Sequence, residues 1–245
     1  MRALTRFSVP VPDYALRVPS HLQLLVGAGF VGGLIGLGLL IAAPTIPGLY
    51  GFLLLAVAFL SAAFALALRV ITSPTRRERA RRQMLNAIAW RGDERVLDVG
   101  CGNGFLIIEA AKRLTTGRAT GIDLWKAEAG EQSAEIASRN AHLEGVADRV
   151  EIRNADARQM PFGDRTFDVI VSSLMLHHAG GSTDRNAVLE EMLRVLKPGG
   201  TILLYDALPF IAGASKFLRG NGLPNVTRSG GLLPTLVATG ARNGA

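Results

Sequence analysis

The chain has few residues of the types that build disulfide or metal frameworks. Cys101 is the only cysteine among 245 residues, and there are four histidines. One thiol cannot form an internal disulfide or a cysteine-rich metal site. The histidines also lack the spacing of a metal-ligand motif. We therefore expect neither a disulfide scaffold nor a metal centre.

Charged residues are missing from one long stretch. Between Val18 and Leu68 there is no Asp, Glu, Lys or Arg. Two apolar segments, at about 22–43 and 49–70, are each long enough to cross a bilayer, and residues 44–48 (PTIPG) form a turn between them. We predict that residues 1–72 contain a transmembrane helical hairpin in the lipid bilayer. A cleaved signal peptide fits less well, because the first apolar run is too long and a second follows. A buried pair of soluble helices fits less well still.

The positive charge lies beside this segment. Residues 1–90 carry the whole formal net charge of +7, whereas residues 91–245 contain equal numbers of acidic and basic residues. We therefore exclude nucleic acid as a partner of the second part. Arginines precede the first span and follow the second, and none lies in the turn. The positive-inside rule then predicts a multi-pass protein of the cell membrane with its N-terminus and its second part in the cytoplasm. The flanking arginines are Arg2, Arg6, Arg17, Arg69, Arg76, Arg77, Arg79, Arg81 and Arg82.

Residues 73–90 are predicted to form a basic juxtamembrane helix. Ser73 is a good N-cap, and Pro74 suits the first helical position. Five arginines near the start of this helix suit anionic lipid headgroups. An apolar stripe of Met84, Leu85 and Ile88 suits packing against the domain that follows.

A glycine-rich turn begins the second part of the chain. Residues 96–104 read VLDVGCGNG, a short buried strand followed by Gly100, Gly102 and Gly104. The glycines allow a tight turn that presents backbone N–H groups to a ligand. Asp98 at the end of the strand would repel the pyrophosphate of a dinucleotide such as NAD. It suits a cationic ligand instead, and S-adenosylmethionine carries an ammonium and a sulfonium. The spacing also lacks the third glycine of the dinucleotide fingerprint.

Further strand ends carry polar residues in the same order. Asp123 follows the glycine turn by about twenty residues, the separation at which an acidic side chain meets ribose hydroxyls. A third strand at 150–153 leads to Asp156, and residues 167–173 read as a fourth strand. The sequence LKPGG at 196–200 then precedes a fifth strand at 201–205. Asp123 or Asp156 alone would more often be a cap or turn residue, so the interpretation depends on the order of the whole set.

Over about residues 90–206 these motifs resemble the class I S-adenosylmethionine-dependent methyltransferases, with a methyltransferase type 11-like domain. The resemblance implies a Rossmann-like doubly wound α/β sheet over residues 91–210 and S-adenosylmethionine as the cofactor. It also implies that Asp156 accepts a hydrogen bond from the adenine amino group. The implied cofactor-binding residues are Asp98, Gly100, Gly102, Gly104, Asp123, Leu124, Asp156 and Ala157.

Two adjacent histidines follow the fourth strand. His177 and His178 come at the carboxyl end of that strand, where open α/β sheets bind ligands. Histidine titrates near neutrality, so either is a candidate catalytic base if the acceptor must lose a proton, with His177 first. The alternatives are an orienting hydrogen bond or the start of the next helix.

The end of the chain departs from the family pattern. Family members usually continue with a helix and an antiparallel pair of strands, whereas residues 211–245 are punctuated by glycine and read as irregular. We therefore predict that the sheet lacks its last strands and leaves strand five at an edge or under irregular chain. The apolar run Leu232–Ala238 is read as a possible start of the missing helix.

These observations combine into a membrane-anchored methyltransferase. Tethering favours a lipid, quinone or other membrane-associated acceptor, because it keeps the site at the bilayer surface. A soluble small molecule or a protein side chain is the alternative acceptor. The second hypothesis is a non-catalytic membrane anchor with a degenerate methyltransferase fold, which the short C-terminal segment makes credible.

Overall fold

A computed structural model describes residues 74–125, 132–229 and 234–240, together with Pro12, Tyr14 and single residues between 27 and 67. The chain divides into two compact units, one of residues 1–15 and 81–245 and the other of residues 16–80. Most of the predicted hairpin lies outside the described residues. Those that are described between 27 and 67 are helical. In the described part of the chain, no helix has the length and apolar character needed to cross a membrane.

The larger unit is built on one seven-stranded sheet with the order β3-β2-β1-β4-β5-β7-β6. Strands β1 to β5 are parallel, and β7 runs antiparallel to both β5 and β6. The strand order reverses between β1 and β4, where a doubly wound sheet opens a crevice at its carboxyl ends. The strands are β1 (Arg95–Val99), β2 (Arg118–Asp123), β3 (Val150–Asn154), β4 (Phe167–Ser173), β5 (Leu196–Tyr205), β6 (Asn225–Arg228) and β7 (Thr235–Thr239).

Helices connect the strands and cover the sheet. The central strands are apolar almost throughout, as expected for a parallel sheet covered on both faces. Val96, Leu97 and Val99 of β1 are completely buried. The helices are α1 (Pro74–Leu85), α2 (Phe105–Ala111), α3 (Ala134–Leu143), α4 (Ser182–Val195) and α5 (Leu208–Gly220), with a short 3-10 turn at Leu176–His178. The predicted Rossmann-like fold is therefore confirmed.

The prediction that the sheet lacks its last strands is wrong. Residues 208–220 form helix α5, and β6 and β7 complete the sheet, so β5 is not an edge strand and residues 211–245 are not irregular throughout. Helix α5 tolerates its glycines because Ile211, Ala214 and Leu218 recur on one face and are buried. The run read as a possible helix start instead supplies most of strand β7, Thr235–Thr239. That strand pairs with β5 on one side and β6 on the other, and its alternate residues Leu236 and Ala238 are buried on one face of the sheet.

Candidate active site

The glycine turn lies between β1 and α2, at the reversal of strand order. Gly100, Gly102 and Gly104 have φ values of 77°, 53° and 85°, in the left-handed region that glycine adopts without strain. A Cβ atom at Gly100 would also come within 2.4 Å of the Met175 side chain. The turn is fixed to β2, because Gly100 and Cys101 both donate backbone hydrogen bonds to the carbonyl of Ile122, at 2.8 and 3.1 Å. The absence of a side chain at Gly100 therefore lets Met175 pack closely against the backbone of the turn.

Asp98 lies beneath this turn and is 1% exposed. Neither of its carboxylate oxygens has a hydrogen-bond partner within the described residues. Burial raises the pKa of Asp98 from 3.8 to about 7, and the charge of Asp123 adds to that rise. The charge of Arg81 and the nearby backbone N–H of Ile107 oppose it. A buried carboxylate without a partner is costly unless a donor reaches it. The side chain therefore fits a cationic ligand such as the ammonium of S-adenosylmethionine.

Asp123 lies beside the glycine turn. One carboxylate oxygen accepts from the backbone N–H of Gly102 at 2.8 Å, and the other accepts from that of Trp125 at 3.1 Å. The indole Nε1 of Trp125 donates to the carbonyl of Gly102 at 3.1 Å. Trp125, with φ at 42°, was not among the predicted site residues. Leu124, between the two, is half-buried. The ribose contact itself stays a prediction.

Asp156 lies just beyond the carboxyl end of β3. Its carboxylate pairs with the guanidinium of Arg158 at 2.7 Å, and Arg158 also reaches Asp184 at 3.1 Å. The backbone N–H of Arg158 donates to Asp156 as well, at 2.9 Å. Ala157 is half-buried and packs against the core. The structure thus brings Asp156 to the same edge of the sheet as Asp98, while its adenine contact stays a prediction.

His177 is held by Asp206, which sequence reasoning missed. The Nδ1 of His177 lies 2.9 Å from the Oδ1 of Asp206, whose side chain is 2% exposed. Asp206 also accepts from the backbone N–H of Ala207 at 2.7 Å. An ionised carboxylate only accepts, so Nδ1 is assigned the proton and Nε2 keeps its lone pair. The sequence does contain a signal for Asp206, because it is a polar residue directly after the apolar strand β5.

His178 lies next to this pair. The ring centres of His177 and His178 are 3.9 Å apart. Burial lowers the pKa of His178, and so does the positive charge that His177 carries when protonated. His178 therefore stays neutral more readily than an exposed histidine. The ring of Phe210, at the start of α5, lies 6.0 Å from that of His177 and gives the histidines an apolar neighbour.

Arg81 also enters the site, although the sequence assigned it with four other arginines to lipid headgroups. Its Nε donates to the hydroxyl of Ser173 at 2.8 Å, and Ser173 is the last residue of β4. Its guanidinium carbon lies 5.6 Å from the ring centre of Phe105, which follows the glycine turn. The end of α1 therefore packs on the domain, as the buried Met84 and Leu85 also indicate.

A cavity of about 290 Å³ lies at the opposite edge of the sheet. Its walls include Asp168 and Lys197, which pair with each other at 2.8 Å. None of the predicted site residues lines it. Parallel sheets of this type bind ligands at their carboxyl ends, so we place the site at the glycine turn.

Known proteins resemble part of this chain. Residues 97–204 match the family described as "Methyltransferase domain". The matched residues run from β1 to β5 and include the glycine turn. The chain is 39% identical over 121 residues to the 27-O-demethylrifamycin SV methyltransferase of Amycolatopsis mediterranei, covering 48% of this chain and 40% of that protein.

Two further similarities concern a quinone enzyme and a solved structure. The chain is 31% identical over 126 residues to the ubiquinone/menaquinone biosynthesis C-methyltransferase of Idiomarina loihiensis, covering 51% of this chain and 47% of that protein. A methyltransferase structure from Aquifex aeolicus superposes with a TM-score of 0.54 at 21% identity, covering 65% of this chain and 88% of the other. The chain thus spans less than half the length of the two relatives, and the structural likeness concerns the fold.

Proposed function

We propose that the protein is a membrane-anchored S-adenosylmethionine-dependent methyltransferase that acts on a lipid, quinone or other membrane-associated acceptor. One observation carries the catalytic part of the proposal. The unpartnered carboxylate of Asp98 and the pair of His177 with Asp206 lie at the carboxyl edge of the same sheet. The first suits a cationic cofactor, and the second suits an acceptor that must lose a proton.

Each of the predicted cofactor-binding residues would bind a different part of S-adenosylmethionine. Asp98 accepts from the ammonium, the turn at Gly100 and Gly102 gives the ligand close access to the backbone, and Asp123 accepts from the ribose hydroxyls. Asp156 would accept from the adenine amino group. When bound, S-adenosylmethionine supplies a methyl group on a positively charged sulfur and leaves as a neutral thioether.

His177 acts as the base that removes a proton from the acceptor. Asp206 holds the ring through Nδ1 and leaves Nε2 able to take a proton from a hydroxyl or an acidic carbon as the new bond to the methyl group forms. Methyl transfer needs the attacking atom in line with the departing sulfur, so the rest of the site contributes alignment and exclusion of water. The half-buried Phe210 beside His177 favours an acceptor with an apolar body.

Exposed apolar residues support the membrane part of the proposal. Among the described residues of the 16–80 unit, the large apolar side chains are mostly exposed, with Phe59 at 74% and Leu60 at 66%. Large exposed apolar surfaces mark membranes or protein partners. Together with the absence of charge between Val18 and Leu68, this favours a bilayer around the predicted spans.

Tyr14 supports an even number of crossings. Its hydroxyl donates to Glu144 at 2.9 Å, and its ring meets that of Phe105 edge-on, with centres 5.0 Å apart. Tyr14 therefore belongs to the same compact unit as residues 81–245. A membrane segment between Tyr14 and Arg81 must then leave and return on one side, as a hairpin does. The flanking arginines favour the cytoplasmic side.

The acceptor is tested in membranes that contain the full-length protein. S-adenosylmethionine labelled on its methyl group is added, and labelled products are extracted and identified by mass. Label in a lipid or quinone supports the proposal, whereas label found only in soluble molecules or protein contradicts the acceptor class. Tight cofactor binding without any labelled product would favour the second hypothesis, a non-catalytic anchor.

A further inference from the structure

A positively charged side chain lies close to the proposed catalytic base. The guanidinium of Arg185, near the start of α4, lies over the ring of Phe210, with its carbon 5.3 Å from the ring centre. The ring of Phe210 lies in turn 6.0 Å from that of His177. One aromatic ring therefore separates this cation from the residue that takes the acceptor's proton. Neither cofactor binding nor proton removal uses Arg185.

The acidic neighbour of Arg185 is engaged elsewhere. Asp184 accepts from Arg158 at 3.1 Å, and Arg158 also pairs with Asp156. Arg185 donates through Nη1 to the backbone carbonyl of Gly180. Among the residues that the structure describes, no carboxylate pairs with Arg185, which is half-buried. Most of its N–H donors therefore remain available to a ligand.

A second arginine offers a matched comparison. Arg219, in the last turn of α5, also donates to a backbone carbonyl, that of Val226 at 2.7 Å. Within the described ranges it likewise has no carboxylate partner. Phe210, however, lies in the first turn of the same helix. The two arginines thus have similar hydrogen bonds, but Arg219 lies at the end of α5 that is far from the proposed base.

The chemistry of Arg185 indicates what it binds. A planar guanidinium matches the oxygens of a carboxylate or a phosphate through parallel hydrogen bonds, and an aromatic ring beneath it favours the cation. Exposed apolar surface lies nearby in the sequence, because Leu208 is 43% exposed two residues before Phe210. We propose that Arg185 binds an anionic oxygen group, a phosphate or a carboxylate, on the methyl acceptor. Phe210 contacts the apolar part between that group and the reacting atom.

This inference rests on the proposed function and narrows its acceptor to an amphiphile with an anionic group. Membranes that contain the full-length protein are supplied with methyl-labelled S-adenosylmethionine, and the labelled product is fragmented in a mass spectrometer. We expect it to contain a phosphate or a carboxylate. A labelled lipid or quinone without either group overturns the inference and leaves the proposed function standing. The absence of any labelled product removes both.

Substitutions separate acceptor binding from a structural role. Arg185→Gln should raise the apparent KM for the membrane extract by on the order of tenfold or more, because charged hydrogen bonds are lost, while kcat changes by less than about threefold. Arg185→Lys should recover part of the loss, and Arg219→Gln should behave like the unmodified protein. A lower kcat at an unchanged KM in Arg185→Gln overturns the inference, and so does an equal effect of Arg219→Gln. If Arg185→Gln does not fold, the composition of the product still decides.

Short-chain probes distinguish a phosphate from a carboxylate. Hexyl phosphate, heptanoate and hexanol are compared as inhibitors of methyl transfer by the full-length protein. The anion that matches the acceptor should inhibit at a concentration about tenfold or more below that of hexanol, and Arg185→Gln should remove this difference. Stronger inhibition by hexyl phosphate indicates a phosphate on the acceptor, and stronger inhibition by heptanoate indicates a carboxylate. Equal inhibition by all three probes overturns the inference.

Discussion

Asp206 fixes the ring of His177 across 2.9 Å, from the end of the strand next to the one that leads into His177. The carboxylate is almost fully buried, while the histidine side chain remains 31% exposed. A buried acceptor behind an accessible ring is the arrangement that directs one imidazole nitrogen outward. This contact therefore joins the residues that follow β5 and β4, and it leaves Nε2 of His177 as the outward nitrogen.

The first prediction concerns this pair. His177→Gln should lower the rate of methyl transfer by about 10²- to 10⁴-fold, the usual contribution of a general base. Asp206→Asn should also lower the rate, because an amide favours the opposite tautomer. Single-turnover transfer to the identified acceptor measures both variants, with calorimetry for the cofactor. Cofactor affinity should stay within about twofold. A normal transfer rate in His177→Gln would contradict the role of the base.

Asp98 should make the ligand-free protein less stable as the pH rises. Its pKa is 3.8 ordinarily and about 7 in the fold, so the folded state keeps a proton that the unfolded state loses between those values. Stability from this source is therefore complete below about pH 4 and is lost as the pH rises through about 7. Asp98→Asn should remove the loss and stabilise the protein at pH 8 by at most about 4 kcal/mol. Urea unfolding at pH 5 and pH 8 measures the difference, and a variant equally destabilised at both values would contradict it.

The same carboxyl should couple cofactor binding to pH. The ammonium prefers ionised Asp98, so affinity should increase from pH 6 toward pH 7.5 with release of a proton. Above about pH 8 the gain should stop, because an α-amino group itself titrates there. Calorimetry in buffers of different ionisation enthalpy reports the proton released. In Asp98→Asn, binding should be weak and should lose the increase below pH 7.5.

Asp123 and Trp125 offer an optical test of the ribose contact. Cofactor binding should change the fluorescence of Trp125, whose indole lies against the glycine turn, and Trp125→Phe should remove the signal. Asp123→Asn should weaken S-adenosylmethionine binding by on the order of tenfold or more, since a charged acceptor is lost. Asp123 also holds the turn, so an analogue without ribose hydroxyls is the control. Asp123→Asn should weaken that analogue far less than the complete cofactor.

The parts of the site that the sequence could predict are local. Asp98, the three glycines and Asp123 lie within one β-α-β unit, and short spacings determine where their backbones meet. The pairing of His177 with Asp206 depends on two strands becoming neighbours, which no local pattern encodes. The sequence analysis missed helix α5 because its glycines suggested irregular structure. The helical spacing of its buried residues was the signal that went unused. Tertiary packing of the apolar face stabilises this helix, although its local helix propensity is weakened by glycine.

Arg81 is another residue whose position the sequence alone could not predict. In the sequence it is one of five arginines within seven residues, and composition gives no reason to separate it from the others. Its hydrogen bond to Ser173 joins residues 92 positions apart. Ser73 and Pro74 predicted a helix over residues 73–90, and helix α1 instead ends at Leu85. Only the fold indicates which of its arginines turns inward.

The membrane hairpin remains a prediction and can be tested with single cysteines. Cys101 is the only cysteine and is 7% exposed, so the unmodified protein should react slowly with maleimides. In intact cells, a membrane-impermeant maleimide should label Thr45→Cys in the turn between the predicted spans. Ser8→Cys, before the first span, should be labelled only after permeabilisation, because the flanking arginines favour a cytoplasmic N-terminus. Labelling of Ser8→Cys in intact cells would contradict the cytoplasmic position of the N-terminus.

Labelling of Thr45→Cys only after permeabilisation would contradict a crossing hairpin. Release of the protein from membranes by alkaline carbonate would contradict insertion altogether.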